Sequence, residues 1–106
     1  MQTRRIELIQ SSITNGRIYF PTTDAKFFPA DSYSDRKREG HVGTEVVFLA
    51  GSHRFAGPIR VSSGQRLSPQ RSFARFLKEV RAVAGDNLVV TRTSDRDYKV
   101  VHVPAV

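Results

Sequence analysis

The stretch "GRIYFPTTDAKFFP", residues 16–29, begins as a strand, stops at Pro21, and then sets two adjacent phenylalanines before a second proline. A proline has no backbone donor for a ladder, so Pro21 ends the strand "RIYFP". Thr22 or Thr23 can cap a short helix from Asp24 to Phe28, and Pro29 forbids its continuation. Phe27 and Phe28 are neighbours, so one is expected to plug the core end while the other wraps its edge.

Upstream, "RRIELI" alternates, with Ile6 and Leu8 on one face and Arg5 and Glu7 on the other, as a half-buried strand does. "SSITNG" lies between the two strands, and Asn15-Gly16 is the strongest short hairpin signal in the chain. Downstream, "DSYSDRKREGHVG" is polar and charged, a surface loop whose Arg36, Lys37 and Arg38 are balanced by Asp35 and Glu39. "TEVVFLA" follows as a strand whose apolar run implies burial on both faces near its centre. After the Gly51-Ser52 turn, "HRFAGPIRV" reads as a strand with a bulge or kink at Gly57-Pro58. "SSGQR" is a second exposed loop, with one more short strand around Gln65 to Leu67.

Ser68 followed by Pro69 marks the start of a long helix. Phe73, Phe76, Leu77, Val80 and Ala84 recur at helical spacing, with Arg71, Arg75, Lys78 and Arg81 on the other sides and Gly85 at the end. "NLVVTRT" and "YKVVHV" then form a hairpin around "SDRD". Strands joined by helices at two connections predict a mainly β, α+β fold: an open, seven-stranded-like pseudobarrel with a helix capping each end.

At 106 residues the chain is expected to be a single domain over residues 1–106. The absence of cysteine removes thiol catalysis and zinc fingers. No apolar run approaches the length of a membrane span or a signal peptide core, so no membrane role is expected and a cytoplasmic location is. Seventeen Lys and Arg against ten Asp and Glu give a formal charge of +7, which favours a polyanion as partner. Thirteen of these cations are Arg, whose planar fork suits phosphates and guanine edges.

Catalytic patterns are few. His41, His53 and His102 have no ligand-like spacing, so neither metal nor cofactor is expected. Asp86 with Asp97-Tyr98-Lys99 mimics the carboxylates and lysine of a metal-dependent nuclease, but Asp97 falls in a hairpin turn and the flanking helices of such a core are missing. The chain is expected not to be an enzyme.

The residues "GRIYFPTTDAKFFP" and "RSFARFLKEVRAVAGDNLVV", in this order and spacing, resemble B3-type DNA-binding pseudobarrel domains, found in plant transcription factors and in the recognition modules of bacterial restriction endonucleases. The bacterial relatives look closer, through "IYFP" and the short strands. The resemblance implies that the phenylalanines of the short helix close one mouth of the barrel and that two arms embrace double-stranded DNA in the major groove. By position, the first arm spans Ser11 to Arg17 and the second Arg60 to Arg66. The candidate DNA-binding residues are Ser11, Ser12, Thr14, Asn15 and Arg17 in the first arm, Arg60, Ser62, Ser63, Gln65 and Arg66 in the second, and Arg54 beside them. Arg17 and Arg66 are expected at the arm tips, with Arg54 and Arg60 on phosphates. A monomeric recognition or effector part of a restriction-modification protein, working with a nuclease domain or subunit, is the expected role. The alternative is a basic barrel that binds RNA or an acidic protein, for which Tyr19, Tyr33 and Tyr98 are the available stacking residues.

Overall fold

Two sheets share one core in the computed structural model, which describes residues 2–34, 42–62 and 66–105. The strands are β1 (Thr3–Glu7), β2 (Phe20–Pro21), β3 (Val46–Ala50), β4 (His53–Gly57), β5 (Ile59–Ser62), β6 (Arg66–Pro69), β7 (Asn87–Arg92) and β8 (Asp97–Val103). Two helices, α1 (Gln10–Asn15) and α2 (Ala74–Glu79), and two 3-10 segments, Thr22–Phe27 and Ala30–Ser32, join them. The larger sheet runs β1-β7-β8-β3-β4 and the smaller β2-β6-β5. Among the strands of the described residues, β3 and β8 pair in parallel and the other strand pairs are antiparallel. Neither sheet closes on itself, so the architecture is an open α+β pseudobarrel.

The opening stretch does what its prolines require. Pro21 ends β2 after two residues, and the 3-10 segment that follows drives both phenylalanines inward. Phe27 is 0% exposed and Phe28 2%, so neither wraps an edge. They meet Phe20 and Tyr98, and Phe28 reaches Phe48, which Phe73 of the α2 approach touches from another side. Several of these ring pairs are edge-to-face, each adding about 0.5–1.5 kcal/mol to burial alone. Tyr98 sits at the centre, fully buried, its hydroxyl donating to the Phe27 carbonyl at 2.6 Å. It is therefore a core residue and not a stacking surface.

Several sequence expectations change. Asn15-Gly16 is no hairpin: residues 10–15 are helical, and Gly16, at φ +63°, closes α1 in the left-handed conformation glycine tolerates. β1 and β2 consequently never pair, β1 joining β7 with Ile6 opposite Leu88 and β2 joining β6 with Phe20 opposite Leu67. The helix expected from Pro69 to Ala84 is only six residues long. Leu67, Ser68 and Pro69 are claimed by β6, where they pair with Val61, Arg60 and Ile59, and Arg81, at φ +54°, breaks the helical path before Ala84.

The Gly57-Pro58 kink is the point at which the chain leaves one sheet for the other. A Cβ on Gly57 would lie 3.1 Å from the Gln70 carbonyl oxygen, so the close crossing favours glycine. β3 is buried on one face only, since Leu49 is 48% exposed. The hairpin of β7 and β8 forms as expected, with Val90 opposite Val100.

Candidate nucleic-acid interface

The smaller sheet separates two kinds of side chain. Directly opposed residues of an antiparallel pair share a face, and successive residues alternate. Phe20 and Leu67 are opposed and turned into the core. Arg60, opposite Ser68, and Arg66, opposite Ser62, therefore stand on the other face. Tyr19 joins them there, with the Arg66 guanidinium 4.5 Å from its ring centroid. A guanidinium lying over an aromatic ring is held in one orientation by the cation–π contact.

Next to this face, two backbone hydrogen bonds and one from a side chain bring distant segments together. The Phe73 amide donates to the Gly16 carbonyl at 2.7 Å, and the Gln70 amide donates to the Pro58 carbonyl at 2.8 Å. The Arg17 guanidinium reaches the Pro69 carbonyl at 3.4 Å. The segment between β6 and α2 is thus held against the end of α1 and against the crossing from β4 to β5. The result is a polar concavity of about 590 Å³ into which Arg17, Arg54, Arg71 and Arg75 converge, with Gln70 and Ser72 among its walls. None of the described residues lining it is acidic. His53, also in the wall, is paired with the Glu79 carboxylate. Four guanidiniums around one hollow make a local positive field suited to an anion carrying several charges.

The residues singled out from the sequence separate into groups. Arg17 and Arg54 meet in the concavity, and Arg60 and Arg66 share the adjoining sheet face. Ser12 is 1% exposed, and its hydroxyl accepts the Ile9 amide at 3.3 Å, so it fastens the start of α1 and presents nothing to a partner. Thr14 is exposed and accepts from the Gln10 side chain one helical turn earlier. Ser11 and Asn15 are exposed on α1. Ser63 and Gln65, the side chain of Ser62, and the Arg36-Lys37-Arg38 run lie outside the described residues.

Arg71, Arg75 and Gln70 were absent from that set. Helical periodicity assigns the two arginines to a solvated helix flank, whereas Arg71 precedes α2 and Arg75 lies in its first turn. The available signal was the polar run Gln70-Arg71-Ser72 directly after a proline, which is loop chemistry.

Asp86 and Asp97 sit at opposite ends of the β7–β8 hairpin, so the two carboxylates cannot hold one metal ion. Asp86 is instead bound by the His102 ring at 2.8 Å and by the amides of Val83 and Ala105. Asp97 accepts the Ser94 hydroxyl. Among the described residues no group of His, Asp and Glu is placed to hold a metal ion.

Two open sheets around an aromatic core, with short helical segments at the connections, constitute the B3-type pseudobarrel fold. The chain of an Arabidopsis FUS3-DNA complex superposes with a TM-score of 0.67 at 18% identity, covering 97% of each chain. The hypothetical Arabidopsis thaliana protein At1g16640.1 superposes with a TM-score of 0.62 at 15% identity, over 97% of this chain and 90% of that one. At such identities the likeness is one of fold. No protein-family model and no curated protein sequence matches the chain.

Proposed function

We propose that this chain binds double-stranded DNA and reads its sequence. The observation that carries the reading is the convergence of Arg17, Arg54, Arg71 and Arg75 beside a sheet face bearing Arg60 and Arg66. The concavity fits phosphates, which position a protein on a duplex without specifying sequence. The Arg66–Tyr19 pair and the second arm fit base edges, where an oriented guanidinium takes guanine O6 and N7 together. Support also comes from the shared fold with FUS3, a protein solved in complex with DNA.

In finer terms, the chain acts as a non-catalytic recognition or effector part of a restriction-modification protein. The support is the resemblance of "IYFP" and the short strands to bacterial recognition modules. A genomic neighbourhood lacking both methyltransferase and nuclease genes overturns this assignment.

The experiment is selection from a randomised duplex library with sequencing at two salt concentrations. The wild type is expected to enrich a short motif. Arg66→Ala should blur it, whereas Arg71→Ala combined with Arg75→Ala should keep the motif while weakening all sites alike. Salt-sensitive binding with no motif, or preference for single strands, overturns the reading.

A further inference from the structure

Strand β3 ends at Ala50, opposite Val100, while β8 continues to Val103. β7 pairs with β8 along its whole length, with Val89 opposite Val101 and Asn87 opposite Val103. On the other side, past Val100, no strand occupies the place of β3 among the described residues. Backbone donors and acceptors of a strand point alternately to its two edges, so residues 101–103 present part of theirs to this open side.

The open edge forms the wall of a largely apolar cleft of about 600 Å³. Leu49, Phe76, Val80 and Val101 supply apolar surface, Lys99 a positive charge and His102 a polar ring. Leu49 and Val101 are 48% and 44% exposed, high values for neighbours in a sheet. The His102 ring is already held by Asp86, which leaves the exposed Lys99 as the cation a partner would meet. This cleft shares no lining residue with the arginine concavity.

We propose that the cleft takes an extended segment of a partner protein, alternating apolar and acidic residues, which adds to β8 in line with β3. A strand edge is satisfied by another extended backbone, and side chains at every second position fill apolar pockets beside it. A helix or a compact small molecule has no row of matching amides. Lys99, on a chain of net charge +7, favours carboxylates at the alternate positions.

The test uses the full chain, labelled with nitrogen-15, and a blocked peptide of about nine residues alternating valine and glutamate. Titration is expected to shift the amides of Val101–Val103 and Leu49 and to slow hydrogen exchange at one or more of residues 101–103. Lys99→Glu and Val101→Glu, both at exposed positions, should each weaken binding by about tenfold. A peptide with proline at its centre should bind at least tenfold more weakly, because it lacks a ladder donor. Shifts confined to Arg17, Arg54, Arg71 and Arg75 would show an acidic peptide merely occupying the basic hollow and would overturn the proposal. So would undiminished binding of the proline peptide, a helical bound peptide, or no binding.

Discussion

Gly16 shows how much rests on one missing side chain. It closes α1 at φ +63°, and a Cβ added there would lie 2.8 Å from the Ala74 Cβ, where α1 approaches α2. Left-handed backbone costs a non-glycine residue about 1–2 kcal/mol before any clash. Gly16→Ala is therefore expected to lower the urea midpoint by an amount worth at least about 2 kcal/mol with an unchanged slope. Asp86 makes a different kind of contribution. The hydrogen bond from His102, then those from the Val83 and Ala105 amides, hold its carboxyl below the usual value of 3.8, against the desolvation that opposes them. With its pKa depressed on folding, Asp86 contributes stability that is present above the unfolded value of about 3.9 and is lost as the pH falls through the depressed one. Unfolding midpoints should drop below about pH 4, and Asp86→Asn should flatten that part of the acid limb. A series of urea melts from pH 3 to pH 7 checks both.

At the level of elements, what sequence patterning made legible is what local chemistry decides. Pro21 and Pro29 bracket the short helical segment, and alternation marks β1, β7 and β8 because each faces solvent on one side. What remained hidden was decided by distant partners. Ser68-Pro69 has the chemistry of a helix start, yet it pairs with Arg60 and Ile59 of β5, which makes it the end of a strand. Asn15-Gly16 carries a hairpin signature, yet its glycine serves equally well as a helix end, and only the pairing of β1 with β7 distinguishes the two. The candidate interface follows the same rule. Arg17, Arg54, Arg60 and Arg66 were visible as cations in arms or beside them, while Arg71 and Arg75 join them only because Gln70 docks on Pro58. Tyr98 ties β8 to the 3-10 segment by a bond no local pattern announces. Burial raises its hydroxyl pKa to about 12, so it remains a donor throughout the ordinary pH range. Tyr98→Phe leaves the Phe27 carbonyl without this donor and is expected to cost about 1–3 kcal/mol, read from thermal or urea unfolding.

Over the whole molecule, the two sheets share one aromatic core. Phe20, Phe27, Phe48, Phe73 and Tyr98 are all at most 1% exposed, so no face must be surrendered to them. The chain carries a net charge of +7, and under the proposed function its attraction for a duplex would act through the release of counterions. The four arginines of the concavity make that attraction measurable. With one phosphate neutralised by each, they contribute about −3.6 to the slope of log affinity against log salt. Between roughly 50 and 200 mM salt, binding should then weaken by about a hundredfold through these residues alone. Changing Arg17, Arg54, Arg71 and Arg75 together to Gln should remove that part of the slope while the sequence preference proposed for Arg66 persists. Titrations of a selected duplex at several salt concentrations decide the matter: an unchanged slope would mean that the arginines converge on one another without meeting phosphate.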